Sequence, residues 1–447
     1  MFRIAIIGGG IGGLFAALSI HHHCSTEDIQ IDVYEQAAQY KEIGAGVAIA
    51  PNGARLIEKL GLREEAWKIA GKRGKDWFSF RRFDDGAEIL TVPVPETGRM
   101  LQLPMHRAEF LDLLVRTVIE RGAAKLHTNK QCQQLEEHGN HTLVTFGEGT
   151  TVTADLVIGA DGIHSAVRRH YVLTWAQNDN AQYGDMVVYR GLCAIEDIKD
   201  IWPVHTYATI WMAPGKHFLT FPICDNQVLN VVGFVSTPLE KVGQAKESWT
   251  LAGEKGEVRR EFQDFDPAVL AVIEKMDANP LKWILYDREP LDQWSFSGGK
   301  VALLGDAAHA MCPHQGAGAG QAMEDGYILG RALHDFFEAR GTRNEHSLAT
   351  AMQLYQSVRY PRAARVQTTS RQAGDVYELR MAEVTGLSYD DALPVAKSML
   401  EHRMKWIWAD DIDKAYEDAR GQDVEQRVSM GAVRSESSTG KTVLGVV

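Results

Sequence analysis

FRIAIIGGGIGGLFAALSIHHH, residues 2–23, is the most informative stretch of this chain. The apolar run before the glycines predicts a buried parallel strand, and the run after them predicts a helix. Gly8, Gly10 and Gly13 give the turn between them a Gly-x-Gly-x-x-Gly spacing. Glycines at this spacing permit a tight turn and let a pyrophosphate approach the backbone N–H groups at the start of a helix. The stretch therefore predicts a dinucleotide site.

A second strand is predicted directly after this helix, at residues 30–35, and it ends on Glu35. In dinucleotide-binding folds an acidic side chain at this point accepts hydrogen bonds from a ribose. The interval from Gly8 to Glu35 exceeds the usual ~20 residues, and a long helix with the HHHCSTED loop accounts for the difference. A glycine turn without a ligand is the alternative, but the order strand, glycines, helix, strand and acid favours a dinucleotide site.

The composition is that of an ordinary globular protein, and it narrows the classes of partner. Apolar residues make up 45% and charged residues 24% of 447 residues, a length that predicts two interleaved domains and a tail. The net charge of -12 argues against a nucleic-acid or anionic membrane surface, which needs clustered Lys and Arg. Five scattered cysteines without a CxxC pair predict neither a disulfide framework nor a metal site. We expect a cytoplasmic monomer or homodimer with no nucleic-acid or membrane partner.

The patterns along the chain predict an α/β fold made of three parts. The first is a Rossmann-type nucleotide-binding domain, the second an interleaved β-rich domain that would hold a substrate, and the third a helical C-terminal region. Within these parts, Asp85-Gly86 predicts a hairpin, residues 152–158 predict one strand, and the polar tail from about 420 is expected to be loosely ordered. The predicted ranges are 1–70, 101–177 and 285–346 for the first part, 71–100 and 178–284 for the second, and 347–447 for the third.

Two further glycine-bearing motifs lie downstream of the first. Residues 155–169, DLVIGADGIHSAVRR, contain an Asp-Gly pair, and residues 303–326, LLGDAAHAMCPHQGAGAGQAMEDG, contain a Gly-Asp pair. Three glycine motifs in this order resemble those of the class A flavoprotein monooxygenases, the para-hydroxybenzoate hydroxylase type. Residues 42–62 and 105–114 are also similar to segments of that family, and within it the run PHQGAGAGQ most resembles the salicylate hydroxylases.

The resemblance implies FAD as the cofactor, NADH or NADPH as a transient reductant and O2 as co-substrate. It implies that Glu35 holds the adenosine ribose, that Arg107 lies against the flavin and that Asp306 accepts hydrogen bonds from the ribitol. The glycine-rich loop before the next helix would stabilise a reduced, anionic flavin through its N–H groups. The residues expected at the cofactor are Gly8, Gly10, Gly13, Glu35, Gly46, Ala48, Arg107, Asp161, Asp306, Gly316, Ala317, Gly318 and Ala319.

Some of these residues also have purely structural interpretations. Asp306 at a strand end can cap the next helix, and Arg107 can belong to a surface ion pair. The resemblance gives Arg168 a dual role in FAD and nicotinamide binding, and a structural salt bridge is the alternative. The sequence contains no second Gly-x-Gly-x-x-Gly for the reductant, which fits the family and leaves NADH and NADPH undistinguished.

The substrate side of the site is predicted from the chemistry it must perform. A flavin hydroperoxide is an electrophile, so a phenol must lose its proton to a base with a pKa near 7. His314, after Pro313 in the loop expected at the flavin, is the candidate catalytic base, and a histidine that only packs is the alternative. Arg190 is expected to hold a substrate carboxylate or phenolate, or else to face solvent. The expected pocket wall consists of Trp211, His217, Phe218, Phe221 and Pro313, although aromatics at alternate strand positions more often belong to a core.

These expectations describe an oxidoreductase of aromatic compound catabolism, an FAD-dependent monooxygenase that hydroxylates a small phenolic acid. Conversion of salicylate to catechol with release of carbon dioxide is the first interpretation. A hydroxybenzoate hydroxylase that keeps the carboxylate is the nearest alternative. An isoprenoid epoxidase and a non-catalytic flavin-binding protein are more distant ones.

Overall fold

A computed structural model describes most of the chain. Parts of the predictions fall outside the described residues, among them the tail after residue 422, residues 42–45 of the segment 42–62 and residues 25–27 of the HHHCSTED loop. The described ranges are 1–24, 28–40, 46–71, 75–94, 102–172, 179–242, 251–338 and 345–422.

Strands and helices alternate in the first part of the chain, strands dominate its middle, and helices dominate its end. The strands are β1 (Phe2–Ile7), β2 (Ile29–Tyr34), β3 (Gly46–Ile49), β4 (Asp76–Arg82), β5 (Glu88–Pro93), β6 (Leu103–His106), β7 (Lys125–His127), β8 (Cys132–His138), β9 (His141–Phe146), β10 (Thr151–Ala154), β11 (Leu156–Gly159), β12 (Gln182–Ala194), β13 (Thr209–Ala213), β14 (Lys216–Ile223), β15 (Val228–Ser236), β16 (Leu251–Ala252), β17 (Leu281–Asp287), β18 (Ser295–Phe296) and β19 (Val301–Leu303). The helices are α1 (Ile11–His23), α2 (Pro51–Lys59), α3 (Arg63–Ile69), α4 (Arg107–Glu120), α5 (Ala166–Val172), α6 (Leu239–Val242), α7 (Lys255–Glu261), α8 (Pro267–Lys275), α9 (Asp306–His309), α10 (Gly318–Glu338), α11 (Glu345–Tyr377), α12 (Tyr389–Leu400) and α13 (Lys405–Ala409), with a further helical segment over 412–422.

The first sheet has the strand order β18-β19-β11-β1-β2-β7. Its strands are parallel from β19 to β7, and β18 adds an antiparallel edge. Residues 4–7 of β1 are buried, because a parallel sheet covered by helices on its faces needs an apolar run rather than an alternating one. The predicted Rossmann-type α/β fold is thereby confirmed.

Helices α1 and α10 pack closely against each other, because small residues face each other along their contact. A Cβ on Gly326 would lie 2.9 Å from the Ala16 backbone, and one on Gly330 would lie 2.8 Å from the Ser19 carbonyl oxygen. Earlier in both helices, a Cβ on Gly12 would lie 3.2 Å from Ala322. The contacts advance along both helices in the same direction, so α1 and α10 run parallel and begin at the same end of the sheet.

The second large sheet has the order β16-β17-β12-β15-β14-β13-β4-β5 and is mostly antiparallel. Residues paired across antiparallel strands share a face, so Arg190, Val232 and Leu219 form one row of side chains. The opposite face is covered by α7 and α8 through an apolar core that includes Phe262 and Val269. Strand β17 belongs to this sheet and ends at Asp287, three residues past the predicted boundary at 284. We propose that the two large sheets mark the two interleaved domains.

The structure also corrects one predicted strand and identifies no membrane span. Residues 152–158 contain parts of two strands, β10 and β11, because the Asp155 carboxylate accepts a hydrogen bond from the Arg3 backbone N–H at 2.7 Å and the chain changes sheet there. Across the described ranges, none of the helices combines the length and the apolar character that crossing a bilayer requires.

Candidate active site

The carboxyl ends of four neighbouring parallel strands bring the predicted cofactor residues to one edge of the first sheet. Glu35 follows β2, Gly8 follows β1, Asp161 follows β11 and Asp306 follows β19. Open parallel sheets bind their ligands at this edge, where adjacent loops diverge. Residues that are far apart in the sequence therefore face one another across a single crevice.

The glycine turn has the geometry that a pyrophosphate site needs. Gly8 has a φ of +110°, and a Cβ there would lie 2.2 Å from the Ala160 carbonyl oxygen. A Cβ on Gly13 would lie 2.1 Å from the Gly8 carbonyl oxygen, so the start of α1 packs tightly on the turn. At Gly10 a Cβ would meet nothing within 4 Å, which leaves space over the helix N-terminus for a ligand. The Glu35 carboxylate is fixed beside the turn because it accepts the Gly9 N–H at 2.8 Å.

A second helix N-terminus reaches the same crevice. The loop before α10 turns at Gly316, whose φ of +58° is left-handed, and a Cβ there would meet no atom within 4 Å. Ala317 is buried, whereas Gly318 and Ala319 are half-buried at the first turn of α10. Because α1 and α10 are parallel, both present the positive ends of their dipoles to this region. The pair favours an anionic ligand.

Asp306 is solvent-exposed, but protein surrounds it on several sides. This partial burial raises the pKa of its carboxyl, while the charges of His309 and Arg107 act in the opposite direction. The preceding backbone is fixed, since the Gly305 N–H donates to the Asp325 carboxylate at 2.9 Å. An exposed carboxylate on a rigid turn is suited to accept hydrogen bonds from ligand hydroxyls.

Asp161 and Arg168 are engaged by the protein itself. The Asp161 carboxylate accepts the Ser165 hydroxyl at 2.5 Å and the Ala166 N–H at 2.7 Å, so it holds the start of α5. The Arg168 guanidinium is paired with Asp179 at 2.6 Å and also donates to the Ala308 carbonyl oxygen at 3.0 Å. These contacts agree with the structural salt bridge considered for Arg168.

Strand β3 brings the cofactor crevice into contact with the second sheet. Gly46 pairs with His106, the residue before Arg107, so the predicted cofactor residues Gly46 and Arg107 are neighbours. Ala48 pairs with Pro104 on the same two strands. A Cβ on Gly46 would lie 2.7 Å from the Phe221 ring, so only glycine fits here. Arg107 itself is exposed at the first position of α4.

Arg190 lies under this junction on the face of the second sheet that points towards the cofactor crevice. Its Nη2 donates to the Gly46 carbonyl oxygen at 3.5 Å, and its guanidinium carbon lies 4.7 Å from the centroid of the Trp283 ring. Burial lowers the pKa of Arg190 to about 10, and the charge of Arg107 contributes. The side chain is thus a cation at neutral pH, and the described residues place no carboxylate in an ion pair with it.

Asn230 and Trp283 extend the same polar patch, and no pattern in the sequence singles out either of them. The Asn230 Oδ1 accepts the Gly46 N–H at 2.9 Å, which orients its amide. Within the described ranges, three buried donors on this sheet face lack an acceptor: Arg190 Nε, Asn230 Nδ2 and Trp283 Nε1. Buried donors are rarely left unpaired, so the patch is suited to an acceptor-rich, anionic ligand. Only the register of β12, β15 and β17 brings these residues together.

His314 is buried beside this face, in a turn that begins at Pro313. Its ring centroid lies 5.4 Å from that of His217 and 5.0 Å from that of Phe234. Burial lowers the pKa of His314 well below its usual value, and the nearby cations Arg380 and Arg403 add to this. The sequence interpretation assumed an imidazole that titrates near neutrality, and the apolar, cationic surroundings favour the neutral form.

The predicted aromatic wall is divided between the two faces of the second sheet. Trp211 and Phe218 lie in the core on the far face, where the Trp211 indole donates to Asp266 at 3.0 Å and Phe218 packs on Phe262. His217 alternates with Phe218 along β14 and therefore faces His314, while Phe221 contacts Gly46. Of the four, His217 and Phe221 remain on the side of the crevice.

A buried ionic network behind the crevice was also not predicted. Arg359 on α11 is fully buried and donates to Glu324 at 2.5 Å and to Asp325 at 2.8 Å. Asp325 also accepts from His309 at 2.6 Å, and Glu324 accepts from the Asn52 amide at 2.6 Å. The network fixes the start of α2, the Gly305 turn and α10 relative to one another, and no local sequence pattern signals these long-range pairs.

The residues at the crevice fit an FAD molecule. Open space over Gly10 between two helix N-termini suits the pyrophosphate, Glu35 and Asp306 would supply carboxylates for ribose and ribitol hydroxyls, and the start of α10 would face the isoalloxazine ring.

Comparisons with known proteins agree with this geometry. A family model described as an FAD binding domain matches residues 1–370. A salicylate hydroxylase of Pseudomonas putida is 34% identical over 446 residues, covering 97% of this chain and 98% of its own length. A 6-methylsalicylate 1-monooxygenase of Aspergillus terreus is 33% identical over 433 residues, covering 93% and 91%. Among solved structures, a salicylate hydroxylase substrate complex superposes with a TM-score of 0.79 at 28% identity, covering 94% of this chain and 98% of that one.

Proposed function

The chain belongs to the FAD-binding family of class A flavin-dependent monooxygenases, and from this we propose that it converts salicylate to catechol and carbon dioxide. NADH or NADPH is the reductant and O2 the oxidant. Per turnover, salicylate, O2, the reduced nicotinamide and two protons yield catechol, carbon dioxide, water and the oxidised nicotinamide. One oxygen atom enters the ring at the carbon that loses the carboxylate.

The observation that carries this proposal is the group of unpaired donors around Arg190. A guanidinium with a buried, unsatisfied Nε, next to an unsatisfied amide and an unsatisfied indole N–H, offers hydrogen bonds without accepting any. A substrate with a carboxylate and a phenolic oxygen supplies the missing acceptors, and a bidentate contact with Arg190 would fix its orientation. An isoprenoid chain would leave the same donors unsatisfied at a cost of about 1–3 kcal/mol each. The similarity to enzymes named for salicylate and 6-methylsalicylate supports the same class of substrate.

In the proposed reaction the protein orients the ring, excludes water and moves one proton. Reduced FAD, when bound, supplies the activated oxygen that attacks the ring. Arg190 holds the carboxylate, while Phe221 and Phe234 cover the apolar faces of the site. His314 is the base proposed for the phenolic proton, and because burial holds its pKa well below the usual value it must pass that proton on as the ring becomes electron-rich.

The experiment that tests the function is a substrate comparison on FAD-loaded protein. Salicylate, 4-hydroxybenzoate and salicylamide are each added while oxidation of NADH and of NADPH, product identity and carbon dioxide are measured. Salicylate should accelerate oxidation and give catechol and carbon dioxide in equal amounts. Salicylamide, which has no anionic carboxylate for Arg190, should bind weakly. A hydroxylated product that retains the carboxylate would contradict decarboxylation of salicylate and would instead indicate a hydroxybenzoate hydroxylase.

A further inference from the structure

A buried acid–base pair lies directly behind His314. The Nδ1 of His217 and the Oε1 of Glu378 are 3.0 Å apart, and their side chains are 1% and 0% exposed. The other carboxylate oxygen, Oε2, accepts the Ser236 hydroxyl at 2.5 Å and lies 3.4 Å from the Arg380 Nε. Burying a carboxylate costs several kcal/mol, so a fully buried Glu378 with an imidazole partner calls for an explanation beyond packing.

The two imidazoles belong to one aromatic cluster. The His217 ring stacks on Phe234 with centroids 4.1 Å apart, and the His314 ring lies 5.0 Å from the same phenyl ring. The centroids of the two histidines are 5.4 Å apart at an angle of 59°, a separation at which ring edges approach each other. Among the described residues, the His314 Nδ1 is buried and has no hydrogen-bond partner.

The backbone of His314 is fixed, which keeps the two rings together. The Tyr377 hydroxyl donates to the His314 carbonyl oxygen at 3.1 Å, and the Tyr377 ring packs against His217 at 5.4 Å. Tyr377 directly precedes Glu378, so the same end of α11 supports both members of the cluster.

The charges around the two histidines differ. Apart from burial, the charges that lower the pKa of His314 are positive: that of His217 when it is protonated, and those of Arg380 and Arg403. Burial also lowers the pKa of His217, with a smaller contribution from Arg380, but the Glu378 carboxylate opposes the shift. Asp375 and Arg380 are the other charged groups close to Glu378. The Glu378 carboxylate at 3.0 Å therefore favours a proton on His217, and within the described residues the Nδ1 of His314 has no such partner.

We propose that the His217–Glu378 pair accepts the proton that His314 removes from the phenol. The phenolic O–H bond breaks, His314 receives the proton, and the proton passes to His217. The products of this step are a phenolate, a neutral His314 and a His217 imidazolium paired with the Glu378 carboxylate. The proposal depends on the proposed function for the proton donor, whereas the order in which the two histidines bind a proton is a property of the protein alone. His217 and Glu378 act through His314 and are positioning residues.

The test measures the protonation of both histidines by NMR in FAD-loaded protein without substrate. Histidine is labelled with 13C at Cε1, and the two signals are assigned with His217→Gln and His314→Gln. His217 should protonate at a higher pH than His314. In Glu378→Gln the midpoint of His217 should fall by about 1–3 pH units, because a carboxylate within hydrogen-bond distance favours the cation by that amount. Tyr377→Phe keeps the charges and should preserve the order.

Two results would overturn the proposal, and neither depends on turnover. One is a His314 that protonates at a higher pH than His217 in the unaltered protein, which is decisive even if the variants do not fold. The other is an unchanged His217 midpoint in folded Glu378→Gln. Turnover adds a second readout: Glu378→Gln should bind FAD normally but lose at least about tenfold in kcat at neutral pH, with recovery as the pH rises. If no phenolic acid is oxidised by the unaltered protein, the proposed function fails while the NMR result still stands or falls by itself.

Discussion

Arg190 is the cationic side chain on which the proposed substrate contact depends. Its position in the strand MVVYRGL is visible in the sequence, but its burial, its stacking on Trp283 and its unsatisfied Nε follow only from the packing of three strands against Gly46. Asp306 is the opposite case, since the resemblance of its Gly-Asp motif already implies a place at the cofactor. Glu378 lies more than 300 residues after the first glycine motif, and no pattern in the sequence predicts that the two belong to one site.

Replacing Arg190 with methionine should weaken substrate binding while preserving the flavin. Methionine keeps much of the buried volume but offers no donor to an anionic group, and a hydrogen bond to a charged group contributes about 1.5–3 kcal/mol. The KM for salicylate should rise by about 10- to 150-fold, with FAD content unchanged. Arg190→Lys is the matched variant and should recover part of the affinity, because it restores charge without the planar fork. A KM within twofold of the unaltered protein in Arg190→Met would refute the carboxylate contact.

Replacing Asp306 with alanine should remove the flavin. The exposed carboxylate on the Gly305 turn would no longer accept hydrogen bonds from the ribitol, so the purified protein should be nearly colourless and bind added FAD at least about tenfold more weakly. The control is Asp112→Ala, which removes an exposed carboxylate on α4 that pairs with Arg116. Fully yellow Asp306→Ala protein would show that the ribitol contact lies elsewhere.

At the scale of elements, local patterns predicted the βαβ unit and the hairpin at Asp85-Gly86, where β4 and β5 are antiparallel. Both depend on contacts close in sequence and on glycine conformations that few other residues adopt. The run 152–158 was predicted as one strand because both halves are apolar, and the break at Asp155 depends on Arg3, 152 residues away. The parallel packing of α1 on α10 likewise needs residues separated by about 300 positions.

Replacing Gly326 with valine should separate these two helices and weaken FAD binding. An added Cβ would lie 2.9 Å from the Ala16 backbone, closer than side chains pack, and such overpacking costs about 1–3 kcal/mol. The melting temperature should fall, and FAD affinity should fall with it because both helix N-termini lie at the crevice proposed to bind the cofactor. Gly421→Val is the matched control, since a Cβ at this exposed helical position meets nothing within 4 Å. Equal melting temperatures for the two variants would contradict the packing argument.

The C-terminal helices support the crevice from behind. Arg359 of α11 reaches Glu324 and Asp325 of α10, which in turn hold Asn52 at the start of α2 and the Gly305 turn. The sequence predicted helices in this region but gave them no role, because buried ion pairs between distant segments leave no periodic signal. The network holds α11, α10, α2 and the Gly305 turn together, although the glycine motifs of the sequence do not predict these contacts.

This network should make folding stability depend on acidic pH in a defined direction. Burial by itself would raise the pKa of Asp325, but His309 and Arg359 lower it to about 2 from an ordinary value of 3.8. A depressed carboxyl pKa stabilises the folded state above the unfolded pKa and loses that contribution as the pH falls towards the folded one. The free energy of unfolding should therefore drop between about pH 5 and pH 2, and it should drop less in Asp325→Asn, which is less stable throughout. Urea unfolding of both proteins at several pH values measures this, and parallel curves would exclude the contribution of Asp325.

Product analysis under 18O2 tests the function of the assembled site most directly. FAD-loaded protein is supplied with salicylate and NADH or NADPH, and the product, the carbon dioxide and the reductant consumed are measured together. We predict catechol with one 18O atom in a new hydroxyl group and one carbon dioxide for each reduced nicotinamide used in coupled turnover. Reductant oxidation that salicylate does not accelerate, or that yields only hydrogen peroxide and unchanged salicylate, would contradict salicylate hydroxylation by this protein.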